Sequence, residues 1–257
     1  MRRILVIGIG AGDPEQLTVR AVRLLREADV FFFLDKGDAK QDLLDARQAI
    51  LDRYREPGGY RVVTAPDVDR DRAPTDYPAT VAAWRTRRAD LYADLIAGLG
   101  EDEIGAILAW GDPTLYDNTV PVLAEVADRG DVPFDFVVEP GISSISALVA
   151  RHRVALNRIG RPVQITTGRR LAEDGFPAGV DDVVVMLDSR GAFTRFAGEP
   201  VDVYWGAYLG TPDEIVVAGP VGEVAEHIQR VRAEARERKG WIMDTYLLRR
   251  VGPDEHS

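Results

Sequence analysis

Short, nearly continuous apolar runs alternate with longer stretches of helical periodicity through the first half of the chain. Residues 4–9, 30–34, 60–65, 104–110 and 134–138 read as strands. Runs with little polar alternation, such as 4–9 and 104–110, are those of strands covered on both faces. Between the strands, the spacing predicts helices ending near Ala28, over 41–54, over 80–99, and from Asn118 or Thr119 to Arg129. Pro121 fits the last of these only inside its first turn. The connection 66–78 is long and polar, as lids and unstructured linkers are. Strand and helix in alternation predict a mostly parallel α/β sheet.

The pattern changes in the second half. Residues 163–167, 183–187, 201–208, 215–218 and 241–248 read as strands, with helices at about 192–197 and 221–239. Many strands with few intervening helices imply antiparallel pairing and a mixed α+β domain. The expected division is an N-terminal α/β domain over 1–139, a C-terminal mixed domain over 140–251 and a loose tail over 252–257.

Three strand-to-helix junctions stand out. Gly8-Ile9-Gly10-Ala11-Gly12-Asp13 invites comparison with a dinucleotide fingerprint, but the third glycine of that motif falls at position 13, which is aspartate. With Pro14 after it and Gln16 three residues on, Asp13 reads as the cap of a capping box, an anion where a pyrophosphate needs free amides. Trp110-Gly111-Asp112-Pro113 repeats that logic: glycine for the turn, aspartate to cap, proline for the first helical position. Open α/β sheets hold ligands in loops at the carboxyl ends of their strands, and these two loops suit a neutral or cationic ligand. The third junction, Glu139-Pro140-Gly141-Ile142-Ser143-Ser144-Ile145-Ser146, is capped by hydroxyls and rich in small residues.

Charge and composition narrow the classes. With 42 acidic and 32 basic side chains the net charge is −10, so a nucleic acid would meet a repulsive field. The absence of cysteine excludes disulfides, thiolate zinc sites and cysteine nucleophiles. No metal is expected, because His152, His227 and His256 fall in no ligand spacing; His152 follows Ile145 and Leu148 at helical spacing and reads as structural. The apolar start is shorter than a signal segment and no later run reaches the length of a membrane span. A cytoplasmic address with no membrane partner is therefore expected.

Taken in order, the first glycine turn, Gly111-Asp112-Pro113 and Pro140-Gly141-Ile142-Ser143-Ser144 resemble the signature stretches of the tetrapyrrole (corrin and porphyrin) methylases. The resemblance implies a two-domain tetrapyrrole methylase-like α/β fold and a homodimer. It also implies S-adenosylmethionine, released as S-adenosylhomocysteine, in the crevice between the domains; a sulfonium is compatible with Asp-capped turns. Four further stretches resemble the branch that methylates C1 of the corrin precursor precorrin-5 and expels the attached two-carbon unit as acetate. They are Trp110 to Thr119, Ile165-Thr166-Thr167-Gly168-Arg169-Arg170, Tyr204 to Glu214, and Gly240 to Tyr246. Carried over by position, the resemblance implies cofactor contacts at Gly111, Asp112, Tyr116, Ser143 and Ser144. Met186 and Leu187 would lie near the adenine, with Tyr208, Ala218 and Gly219 closing the site. Two departures are Ala11, where the family often has proline, and the neighbourhood of Asn118, where several relatives carry an arginine. A role as base proposed for that arginine cannot be transferred.

Methyl transfer asks mainly for in-line placement of an electron-rich carbon, whereas expelling acetate needs a base for water and a donor for the oxyanion. Asp117 is the expected base and Tyr116 the expected donor, because they follow the cofactor turn directly; Asp35 and Asp76 stand in reserve. A polycarboxylate tetrapyrrole also requires a local basic rim on an acidic protein, for which Arg85, Arg88, Arg153, Arg158, Arg169 and Arg170 are the expected members. Two other readings compete. A methylase of the same fold acting on ribosomal RNA would need a broad basic face, and a non-catalytic S-adenosylmethionine-binding regulator would bind cofactor without turnover.

Overall fold

The computed structural model describes residues 1–35, 37, 41–69 and 76–252. Lys36, the stretches 38–40 and 70–75, and the tail residues 253–257, including His256, lie outside the described residues. The chain forms two compact units: Met1–Gly10 with Pro14–Ile142, and Ala11–Asp13 with Ser143–Ser257.

The first unit is built on β1 (Arg2–Gly8), β2 (Val30–Asp35), β3 (Arg61–Pro66), β4 (Ile104–Ala109) and β5 (Phe134–Glu139), all parallel in the order β3-β2-β4-β1-β5. Strand periodicity divides β1 between two cores. Ile4 and Val6 pack with Tyr92 and Ile96 of α3 (Tyr77–Ala97) and with Val122 and Leu123 of α4 (Thr119–Arg129). Leu5 and Ile7 pack on the other face with Leu24 and Leu25 of α1 (Val19–Glu27) and with Ile50 and Leu51 of α2 (Gln41–Tyr54). A sheet covered on both faces accounts for the unbroken apolar runs of its inner strands β1, β2 and β4.

Neither Gly-Asp-Pro turn opens an α-helix, which corrects the sequence reading. After β1 the chain makes a single 3-10 turn, Pro14–Gln16, and α1 begins at Val19 under the cap Thr18, whose Oγ1 accepts from the Ala21 amide at 2.9 Å. After β4, Asp112 Oδ1 accepts from both the amide and the hydroxyl of Thr114, at 2.8 and 2.7 Å, in place of a cap, and α4 starts at Thr119, where the helical spacing puts it. A carboxylate that folds back two residues on makes a turn rather than a helix cap. At α3 the error runs the other way. Asp76 Oδ1 accepts from the Ala79 amide at 3.0 Å and starts the helix at Tyr77, three residues before the periodicity declares itself.

The second unit contains β6 (Val163–Thr167), β7 (Asp182–Met186), β8 (Val201–Ala207), β9 (Ile215–Pro220) and β10 (Asp244–Arg250) in the order β6-β7-β10-β8-β9. Only the β6–β7 pair is parallel. Trp205, Phe193, Tyr246 and Ile228 centre its core, closed by α7 (Val221–Lys239) and a 3-10 turn, Ala192–Phe196. α5 (Ser144–His152) packs on β8 and β10. A helix absent from the sequence reading, α6 (Gly168–Asp174), starts directly after β6 under the Thr167 hydroxyl. His152 is structural, as expected: its Nε2 meets the Trp205 carbonyl at 3.0 Å. Among the described residues no helix is long and apolar enough to cross a membrane.

Candidate active site

All three junctions singled out in the sequence meet at the carboxyl edge of the parallel sheet. Gly10 and Gly111 form an antiparallel bridge, with the Gly111 amide donating to Gly10 O at 2.8 Å and the Gly10 amide to Gly111 O at 3.3 Å. Gly141 lies so close behind them that a Cβ on it would collide with Gly111 O, while a Cβ on Gly8 would stand 2.5 Å from the Gly141 nitrogen. Backbone-to-backbone packing requires Gly8 and Gly141, and left-handed φ of 77° and 68° favours Gly10 and Gly111; together they build a floor from the ends of β1, β4 and β5. A buried carboxylate fixes one side of it. Glu139, 3% exposed, accepts from Thr18 Oγ1 at 2.6 Å and pairs with Arg20 at 3.3 Å, tying the end of β5 to the start of α1.

From this floor rises the turn carrying Asp112, Tyr116 and Asp117. Tyr116 has φ 51° and is 44% exposed, a strained backbone that presents the ring outward. Partial burial pushes its phenol above the usual value, so at neutral pH it is an O–H donor. Asp117 Oδ1 accepts from the Thr119 amide at 2.7 Å and thereby opens α4, whose formal cap Asn118 makes no side-chain bond. One carboxylate oxygen is thus committed to the fold.

Beneath the turn lies a polar cluster with no signature in the sequence. Arg47 of α2 donates to Leu108 O at 3.0 Å and Leu43 O at 2.7 Å, which pins the end of β4 to α2. Burial pulls its guanidinium below the ordinary value, while Tyr92 and Asp117 oppose that shift. Tyr92 is 1% exposed and burial raises its phenol, against the influence of Arg88 and Thr119. Helical spacing marks position 47 as polar and position 92 as apolar; neither pattern says that both reach the same loop.

The proposed site residues of the second unit have mixed environments. Ser143 caps α5, its Oγ accepting from the Ser146 amide at 3.2 Å, and Ser144 is the first helical residue. Leu187 follows β7 with φ 54° and is 67% exposed, an apolar side chain held in solvent beside the half-buried Met186. Asp188 holds that turn: it accepts from the amides of Arg190, Gly191 and Ala192 at 2.9, 2.9 and 2.6 Å and from the Tyr246 hydroxyl at 2.6 Å. Tyr208, expected to help close the site, has its ring in the core, 3% exposed, with its hydroxyl donating to Trp241 O at 2.5 Å. Ala218 and Gly219 lie on β9, paired with Tyr204 and Val203.

Of the six arginines expected at a substrate rim, Arg85 and Arg88 belong to the first unit and Arg153, Arg158, Arg169 and Arg170 to the second. Arg88 is tied to Asp67 at 3.6 Å and stacked on Trp84 and Tyr92. Arg158 and Arg249 flank the fully buried Asp182 at 3.1 and 2.6 Å, a charge that must be answered within the fold. Both Arg88 and Arg158 thus have an acidic partner within the fold. Arg85 lines a cavity of about 580 Å³ with Glu125, Asp128 and Arg129, a lining of mixed charge. Arg153 ends α5 with φ 58°, Arg170 pairs along α6 with Glu173 and Asp174, and Arg169 is exposed on the same helix. The reserves Asp76 and Asp35 each commit one carboxylate oxygen to backbone, as Asp117 does: Asp76 as the α3 cap and Asp35 on the Gly37 amide at 2.8 Å. No group of metal-ligating side chains occurs among the described residues.

This double unit, with a parallel sheet ending in glycine turns and a mixed sheet ending in an exposed apolar turn, is the architecture of a known class. The profile of the Tetrapyrrole (Corrin/Porphyrin) Methylases matches residues 3–225, and the chain belongs to that family. Within it, the chain is 47% identical to precorrin-6A synthase (deacetylating) of a Sinorhizobium species, over 97% of this chain and 96% of that enzyme. The crystal structure of the cobalamin synthesis related protein CobF from Corynebacterium diphtheriae superposes with a TM-score of 0.81 at 38% identity, covering 98% of this chain and 100% of that one. A uroporphyrin-III C-methyl transferase from Thermus thermophilus, solved with S-adenyl homocysteine, shares the fold at 22% identity and a TM-score of 0.57, covering 96% and 91% of the two chains.

Proposed function

We propose that the chain is an S-adenosylmethionine-dependent C-methyltransferase of corrin biosynthesis, methylating C1 of precorrin-5 with release of acetate to give precorrin-6A. The observation that carries this reading is the 47% identity over nearly the whole of both chains to an enzyme named for that reaction. The cofactor suits the residues at hand. The Asp112 carboxylate opposes an anion but not a sulfonium, and the exposed Leu187 with Met186 offers an apolar surface to a flat base. Gly111, Asp112, Tyr116, Ser143, Ser144, Met186, Leu187, Ala218, Gly219 and the backbone at Tyr208 are the contacts proposed. S-adenosylmethionine supplies a methyl group on a positively charged sulfur.

The chain's own work is placement and proton handling. Asp117 takes a proton from water, whose oxygen attacks the acetyl carbonyl while Tyr116 donates to the developing oxyanion. The bond from the acetyl carbon to C1 then breaks, acetate leaves, and the electron pair stays on C1, the carbon that accepts the methyl group. Following the family, we read the enzyme as a cytoplasmic homodimer acting on a polycarboxylate tetrapyrrole, without nucleic acid, membrane or metal. Mass spectrometry of the product from precorrin-5 and methyl-labelled S-adenosylmethionine tests this. One labelled methyl gained and one acetate released are expected; methylation without acetate, or at another carbon, refutes the assignment.

A further inference from the structure

A different set of arginines converges in the second unit. Arg190, Gly191, Gln229, Arg232, Ala233 and Arg236 line a cavity of about 250 Å³. Two elements form its walls. The turn after β7 is fixed by the Asp188 carboxylate on three successive amides, and Gly191 takes φ 74° in that turn. The other wall is one face of α7, where positions 229, 232, 233 and 236 are neighbours at helical spacing. At about 100° per residue the four glutamates 223, 226, 234 and 237 fall within a sector of roughly 80° that adjoins the cavity face, about 20° from Ala233, and none of the four lines the cavity.

The charges in this cavity are unequal to their partners. Arg232 is anchored: it meets Asp244 Oδ2 at 2.8 Å and donates to Asp188 O at 2.5 Å, with Asp244 buried and also held by the Trp205 indole at 3.0 Å. Asp244 therefore answers one positive charge. Arg190 and Arg236 are exposed, and among the described residues neither guanidinium has an acidic partner. Like charges gathered in a concavity repel one another and focus a positive potential, here on a chain whose net charge is −10. A single guanidinium binds a carboxylate through two parallel hydrogen bonds, a geometry that an ammonium group lacks.

We propose that this cavity is a carboxylate-binding site, in which Arg232 and the Asp188-held turn form the frame and Arg190 and Arg236 supply the free donors. Assigning a carboxylate arm of the tetrapyrrole as its occupant rests on the proposed function; a free polycarboxylate has the same chemistry and is the other source.

Two measurements on the full chain test the site. Calorimetry at low ionic strength with citrate as probe compares the parent with the Arg190→Gln/Arg236→Gln variant, and steady-state kinetics compares their KM and kcat for precorrin-5. We expect citrate affinity to fall by about tenfold for each arginine removed, and KM to rise by a similar factor with kcat and S-adenosylhomocysteine affinity unchanged. Loss of citrate binding with unchanged KM supports the site and assigns it to a free carboxylate. Citrate affinity and KM both unmoved overturn it. The Arg230→Gln/Arg238→Gln variant removes the same charge from α7 outside the cavity and is expected to behave as the parent; an equal loss there would reduce the effect to bulk charge and overturn the site. If the parent gives no turnover of precorrin-5 while citrate binding still depends on Arg190 and Arg236, the proposed function fails and the site stands.

Discussion

Asp117 combines a structural duty with a proposed chemical one, and the two can be separated. Its Oδ1 accepts from the Thr119 amide at 2.7 Å, which an asparagine oxygen reproduces, whereas the charge needed to take a proton from water is lost on substitution. In Asp117→Asn, α4 should keep its start, and calorimetry should return parental S-adenosylhomocysteine affinity. Acetate release should fall by roughly 10² to 10⁴ fold, the range a positioned base contributes. Acetate release at the parental rate would reduce Asp117 to a helix-start residue. At this scale the sequence was legible where a residue's role is local: Ser143 as a cap, Pro121 in a first turn, His152 as structural. It was opaque where the role depends on a distant partner. Nothing near Asp188 in the chain announces Tyr246, and nothing near Arg47 announces Leu108. For the same reason Arg88 and Arg158, which read as free cations, are tied to Asp67 and Asp182.

The elements themselves were the most legible part, because burial on both faces writes unbroken apolar runs and amphipathic helices write their period. α2 and α7 fall where periodicity puts them, and β6 matches residue for residue. The misses cluster at junctions. Asp112 looks like a cap in sequence, yet caps and two-residue Asx turns use the same side chains, and Asp13 is followed by a 3-10 turn in place of an α-helix. α6 was hidden because its seven residues hold too little periodicity to register. Glycines at these junctions separate two physical demands. At Gly130, φ is 71° and nothing lies within 4 Å of an added Cβ, so Gly130→Ala should cost only the left-handed backbone, about 1 kcal/mol. At Gly141 an added Cβ meets the Gly111 carbonyl, a backbone atom that cannot turn aside. Gly141→Ala must therefore part the ends of β4 and β5, with an expected loss of about 1–3 kcal/mol or more, together with weakened S-adenosylhomocysteine binding. Urea unfolding of the two variants decides this: equal losses would mean that the close approach behind Gly111 is not what position 141 demands.

At the scale of the whole molecule, each unit carries a buried tyrosine whose phenol burial holds in the neutral form, Tyr92 in the first and Tyr246 in the second. Tyr246 is pushed up further by the Asp188 carboxylate that accepts its proton at 2.6 Å. Both folded-state values lie above the 10.0 of a free tyrosine, so the stability they contribute is fully present below pH 10. Above that pH the unfolded chain releases these protons while the folded chain keeps them. Stability must then fall as pH rises, with a slope of at most about 1.4 kcal/mol per pH unit for each such group. Urea unfolding at pH 9, 10 and 11 should show this decline in whichever transition unfolds the unit concerned. Tyr92→Phe should remove one proton's worth of slope from the transition of the first unit, and Tyr246→Phe one from that of the second. The slope is the informative quantity, because Tyr246→Phe also strips Asp188 of a hydrogen bond and lowers stability at every pH. A slope above pH 10 that is unchanged in both variants would mean that neither phenol stays protonated in the folded chain, and that the Asp188 turn beneath Leu187 is held by backbone amides alone.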